Sequence, residues 1–197
     1  MNIVDFTARP GAIDGLVIVT MRQVTDERGT VRELFRRSAF DGAAIPIERI
    51  DQINITLTHL GGVRGMHAEQ MTKLVAVAHG RAHGVYVDVR PDSPTFGLID
   101  EVDLGLGVQV LVPSGVANGF QAIAPETQYA YCFDHEWAPG MPGSAFTPLD
   151  PLVVDRWPLA IDPDEPAQIS AKDRSAPTFA QLTRAHPSPH RKRGVQS

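Results

Sequence analysis

Four side chains capable of chemistry crowd one short stretch, Gly62-Val63-Arg64-Gly65-Met66-His67-Ala68-Glu69-Gln70-Met71-Thr72-Lys73. They are a guanidinium, an imidazole, a carboxylate and an ammonium. An imidazole titrates near neutrality, which suits His67 to take up and return a proton. Lys73 interrupts an apolar run that continues as Leu74-Val75-Ala76-Val77. That context points to a buried or half-buried ammonium, able to stabilise negative charge where it develops. Arg64 offers the forked donor geometry that binds phosphate. Farther along, Tyr129-Ala130-Tyr131 places two phenols on one face of a strand. A phenol stays protonated at neutral pH and can serve as an acid. Each group also has a plainer reading. A single strand histidine is commonly a satisfied core residue, Lys73 and Arg64 read as surface charges, and the tyrosines read as cross-strand core. Asp173, taken by itself, reads as an N-cap or turn carboxylate.

The elements that would position these groups are strands. Helical periodicity is scarce, and short β-branched runs are separated by Gly, Pro and Asp. Leu16–Val19, Ile53–Leu57, Leu74–Val77, Val85–Val89 and Val108–Val112 are the clearest. Such spacing predicts an all-β sandwich or barrel. His79-Gly80-Arg81 reads as a hairpin tip, and Asp92-Ser93-Pro94 as a turn. Strand patterning stops near Trp157. Residues 160–184 read as a wrapping segment with one or two short helices, Ser175–Leu182 being a candidate. The reading is one domain over 1–184 and a loose tail over 185–197.

Composition narrows the class. The chain has 197 residues, 43% of them hydrophobic, which supports a sizeable core. No apolar run approaches the roughly 20 residues of a spanning helix. The opening residues lack the basic-then-apolar pattern of a signal peptide, and Cys132 is the single cysteine, so a cytoplasmic protein without disulfides is expected. A net charge of −5 argues against general nucleic-acid binding, and Arg191-Lys192-Arg193 reads as a solvated end.

Two segments resemble the paired motifs of the cupin superfamily, which implies a jelly-roll. One is the stretch from Gly62 to Lys73, ending at Gly80. The other is Gly107, then Pro113-x-Gly115, then Asn118. A cupin metal site uses about three His and one Glu. Here His67 remains, while Glu69, Lys73 and Asn118 stand in the other three places. An ammonium repels a divalent cation, so no metal and no other cofactor is expected.

A longer series resembles the dTDP-4-dehydrorhamnose 3,5-epimerase family. Asp26-Glu27-Arg28-Gly29 is similar to its Asp-x-Arg-Gly, Gln52-Ile53-Asn54 to its Gln-x-Asn, and Val63-Arg64-Gly65-Met66-His67 to its Leu-Arg-Gly-Leu-His. Lys73-Leu74-Val75, Val87-Asp88-Val89-Arg90, Ser93-Pro94-Thr95-Phe96-Gly97, Gly119-Phe120, Tyr131, Trp137-x-Pro139, Asp150-Pro151, Trp157-Pro158 and Ser170-x-Lys172-Asp173 follow in order. The match runs from about residue 12 to about 182.

The resemblance implies a cofactor-free isomerase that moves protons on a dTDP-linked 4-keto-6-deoxy sugar at C3, C5 or both, in deoxysugar biosynthesis. His67 would be the base, Asp173 its orienting carboxylate, Tyr131 the acid on the other face, and Lys73 the group facing the keto oxygen. Gln52, Asn54, Arg64, Asn118 and Trp137 would bind substrate. Arg28 and Glu33 match residues that the family lends to a neighbouring subunit, which implies a homodimer. The sequence departs from the family pattern at Asn118 and Gly84, which replace a histidine and an aspartate, and at Val31, which replaces an aromatic. A ketoisomerase on the same scaffold and a non-catalytic nucleotide-sugar binder are the alternatives.

Overall fold

The computed structural model describes residues 1–185. The expected tail beyond Ala185, with its basic cluster, lies outside the described residues.

The chain folds into two facing antiparallel sheets and a small third sheet. The six-stranded sheet runs in the order β2 (Thr7–Pro10), β3 (Val17–Thr20), β11 (Val108–Val112), β8 (Lys73–His79), β13 (Thr127–Phe133), β6 (Gln52–Thr58). The five-stranded sheet runs β10 (Ile99–Leu104), β9 (Ala82–Asp88), β12 (Val116–Ala122), β7 (Val63–Glu69), β14 (Gly143–Ala145). The third sheet pairs β1 (Asn2–Val4), β4 (Gln23–Asp26) and β5 (Gly29–Arg32). Helix α1 spans Arg37–Gly42, α2 Ala171–Arg174 and α3 Phe179–Ala185. This is the all-β sandwich expected from the strand spacing, in the jelly-roll form that the cupin resemblance implied.

Alternation explains why the central strands read as unbroken apolar runs. In β8, Val75 and Val77 face the space between the sheets, among Ile18, Tyr86, Val110, Phe120 and Tyr129. Leu74 faces outward into a second cluster with Phe40, Ile45, Ile47 and Cys132, which α1 and its following loop cover. A strand buried on both faces loses its polar alternation. The outer face of the five-stranded sheet is covered by the C-terminal segment, through Phe146, Val153, Trp157 and Ile169.

Two expectations change in detail. The turn at His79-Gly80-Arg81 is not a hairpin tip. It carries the chain from one sheet to the other, since β8 pairs with β11 and β13 while β9 pairs with β10 and β12. The helix expected over Ser175–Leu182 starts later, at Phe179. Pro177 interrupts the backbone donors before it, and Thr178 Oγ1 accepts from the Gln181 N–H at 3.2 Å.

Candidate active site

His67 stands on β7, and its cross-strand neighbour on β12 is Asn118. The pairing shifts register between Asn118 and Phe120. Here two glycines let the strands crowd together. A Cβ on Gly65, at φ +144°, would lie 2.5 Å from the Gly119 Cα. This irregularity in β7 turns His67 to the side that Asn118 already faces, the gap between the sheets.

The orienting carboxylate comes from the C-terminal segment. Ser170 caps α2 by accepting the Asp173 N–H at 3.0 Å. The Asp173 carboxylate, also hydrogen-bonded by the Ser170 side chain and the Gly65 N–H, places Oδ1 2.8 Å from His67 Nε2. Burial pushes this carboxyl up, but the hydrogen bond and charge of His67 outweigh it, so Asp173 sits below the ordinary carboxylate value. An ionised Asp173 accepts from Nε2–H and leaves the Nδ1 lone pair free to take a proton.

A cavity of about 240 Å³ opens beside this pair, lined by Asn54, Thr56, Arg64, His67, Glu69, Asn118, Tyr131, Phe133 and Trp137. His67 and Tyr131 reach it from facing sheets, one from β7 and one from β13. Both tyrosines of Tyr129-Ala130-Tyr131 point between the sheets, but to different depths. Tyr129 is fully buried and stacks on Phe120 with centroids 3.9 Å apart. Tyr131 is half-buried at the cavity wall. Burial pushes the Tyr131 phenol up, against a downward pull from Arg64, so it stays protonated through the neutral range.

Arg64 reaches the cavity and donates from Nε to Thr58 Oγ1 at 3.1 Å. Trp137, 46% exposed, sits at its lip, where its backbone N–H donates to Gln52 Oε1 at 2.7 Å. Gln52 in turn donates to Asn54 Oδ1 at 3.0 Å.

One expected residue, Lys73, is placed differently from what the resemblance implied, and Arg28 and Glu33 lie away from this chain's own cavity, as residues lent to a neighbouring subunit would. Lys73 belongs to the site but not to its wall. Its side chain is 1% exposed, and Nζ donates to Glu69 Oε2, Asn118 Oδ1 and, at 3.3 Å, the His67 carbonyl. Arg28 and Glu33 do not line this chain's cavity. Arg28 sits in the β4–β5 turn with its side chain 90% exposed, paired to Asp26 at 2.6 Å. Glu33 pairs with Arg36. Glu69, conversely, was not among the expected binding residues and does line the cavity. Its place two residues after His67 on one strand was the available signal. Burial pushes the Glu69 carboxyl up, and the charge and hydrogen bond of Lys73 pull it down further, leaving it below the ordinary value.

The Gly84 departure has a steric counterpart. A Cβ there would lie 2.6 Å from the Tyr86 hydroxyl, so this tyrosine occupies the room a longer side chain would need. Among the described residues, no group of three His, Cys, Asp or Glu side chains is placed to hold a metal ion.

A model of the dTDP-4-dehydrorhamnose 3,5-epimerase family matches residues 10–181. The chain belongs to this family. Its members are isomerases. A dTDP-4-dehydrorhamnose 3,5-epimerase of Streptomyces griseus is 30% identical over 181 residues, 89% of this chain and 88% of that one. A dTDP-4-dehydro-6-deoxyglucose 3-epimerase of Streptomyces bikiniensis is 31% identical over 166 residues, 81% of this chain and 82% of that one. The crystal structure of NovW, a 4-keto-6-deoxy sugar epimerase from the novobiocin gene cluster of Streptomyces spheroides, superposes with a TM-score of 0.83 at 27% identity, covering 92% of each chain. A Legionella pneumophila epimerase in complex with dTDP-4-keto-L-rhamnose gives a TM-score of 0.79 at 29% identity, covering 90% of this chain and 97% of that one.

Proposed function

We propose that this epimerase-family chain inverts a nucleotide-linked 4-keto-6-deoxyhexose, dTDP being the nucleotide, at C3, C5 or both. The observation that carries the reading is the placement of a His–Asp pair and a phenol on facing sheets around one cavity. His67 Nδ1 removes the proton next to the ketone. Asp173 fixes the tautomer and stabilises the imidazolium that forms. Tyr131 returns a proton to the opposite face, which inverts the carbon. Buried positive charge at Lys73 favours the enolate in between. Arg64 contacts the diphosphate, and Trp137 offers its indole face to the base. Residues 1–184 act as one catalytic domain. The test is NMR of dTDP-4-keto-6-deoxyglucose incubated with the enzyme. Inverted coupling patterns at C3 or C5 support the reading, and an unchanged spectrum removes it.

The working unit in this proposal is a cytoplasmic homodimer. Strand β6 is an edge strand of the six-stranded sheet, and its outward face carries Ile53, Ile55 and Leu57, exposed by 52%, 59% and 52%. An apolar edge of that kind favours a covering partner. The exposed Arg28 hairpin tip would then be placed to reach a second copy's nucleotide. Among the described residues, no helix is long and apolar enough to cross a membrane.

A further inference from the structure

The hydrogen bonds around Lys73 leave its ammonium no free donor. An ammonium has three N–H groups, and those of Lys73 go to Glu69 Oε2, Asn118 Oδ1 and the His67 carbonyl. The side chain is absent from the cavity wall, whereas Asn118 and Glu69 form part of it. A substrate oxygen entering the cavity therefore meets Asn118 and Glu69 before it could meet Lys73.

Asn118 is held in one orientation. An ammonium can only donate, so the amide must turn its oxygen toward Lys73 and its nitrogen away. The Asn118 Nδ2 group has no hydrogen bond to any described residue. It is also not among the fully covered atoms lacking a partner, which are Tyr86 Oη, Gln109 Oε1 and Tyr129 Oη. Asn118 is 4% exposed yet lines the cavity, one strand across from His67, and its two N–H donors are left for a bound substrate.

We propose that Asn118 Nδ2–H, oriented by Lys73, is the donor to the substrate's carbonyl oxygen as that oxygen becomes an enolate. Lys73 acts through this amide. Its charge pulls electron density toward Oδ1 and strengthens the outward donor, as hydrogen bonds in a chain polarise one another. The step balances simply. His67 takes the carbon-bound proton, the electron pair moves onto the carbonyl oxygen, and Asn118 stabilises the oxyanion without transferring a proton. Glu69 holds Lys73 with one carboxylate oxygen and can only accept, so it suits a sugar hydroxyl rather than a carbonyl.

The inference rests on the proposed epimerase reading, and its test separates the two. The first measurement uses wild-type enzyme labelled with ¹⁵N-asparagine, with the Asn118 side-chain amide assigned from its loss in Asn118→Asp. Addition of dTDP-4-keto-6-deoxyglucose is expected to move that amide downfield beyond its position with dTDP alone. An amide that responds equally to both overturns the proposal. This holds even if wild-type enzyme catalyses no exchange, a result that removes the epimerase reading instead. The second measurement is deuterium exchange by Asn118→Asp, whose carboxylate keeps a partner in Lys73 but donates nothing. Loss of one oxyanion donor lowers kcat by about 10²–10³-fold, with little change in KM. Exchange within about threefold of wild type overturns the proposal. In Lys73→Gln, the positioning role requires the Asn118 amide signal to move in the free enzyme and kcat to fall while KM holds. Unchanged amide and kcat would show that Lys73 does not act through Asn118.

Discussion

Replacing Asp173 separates charge from tautomer in the base. In the wild-type site, the ionised carboxylate accepts from His67 Nε2–H at 2.8 Å. A hydrogen bond to a charged partner contributes about 1.5–3 kcal/mol, and tenfold in rate corresponds to about 1.4 kcal/mol. Asp173→Ala should therefore slow proton removal by about 10–150-fold, because the imidazolium forms without its counter-charge. Asp173→Asn should be worse. Its amide can donate to Nε2, which places the ring proton on Nδ1 and removes the lone pair facing the cavity. The comparable exchange in a serine protease costs about 10⁴-fold in kcat. The assay is the rate of deuterium uptake into dTDP-4-keto-6-deoxyglucose at pH 7. Asp173 lies below the ordinary carboxylate value of 3.8, so it contributes no titration in the neutral range and the ranking should hold there. Wild-type rates in Asp173→Asn, or a slower Asp173→Ala, would refute the reasoning.

Tyr131→Phe should keep hydrogen exchange while net inversion falls by about 10²–10⁴-fold, because the base survives and the opposite-face acid does not; isotope uptake compared with product stereochemistry reads this out. Asp88→Asn should destabilise the fold by about 3 kcal/mol in thermal or urea unfolding, the low end for a broken buried pair because Arg90 is 26% exposed. Burial pushes the Asp88 carboxyl up, but Arg90, Ser93 and Thr95 pull it down further. Its stabilisation is thus full above the unfolded value of 3.8 and is lost as pH falls through the lower folded one, so the two unfolding curves should converge in acid. Ile55→Lys should shift sedimentation from dimer toward monomer, and a monomeric wild type would refute the dimer.

Much of the fold was legible because β8, β9 and β11 are buried on both faces and announce themselves as apolar runs. What the runs could not reveal is which sheet each strand joins. The His79–Arg81 turn has the composition of a hairpin, yet it crosses between layers, because pairing is decided by long-range register rather than by local turn chemistry. The site was legible where identity and spacing suffice, as at His67 and Arg64. Asp173 was readable only through resemblance, since the chain returns to β7 across 106 residues. The depth of Lys73 was foreseeable from the apolar run around it. The closure of its donors was not, because it depends on Glu69 and Asn118 arriving from two strands. The choice between Tyr129 and Tyr131 also needed three dimensions, as both share a face and differ only in distance from the open end of the barrel.

The most direct test of the central claim is incubation with dTDP-4-keto-6-deoxyglucose in D₂O, with wild-type enzyme and His67→Ala in parallel. The expected result is deuterium at C3, C5 or both in the wild type and none above background in His67→Ala. Equal deuterium uptake by both proteins, or none by either while the nucleotide sugar still binds, would contradict proton abstraction by His67.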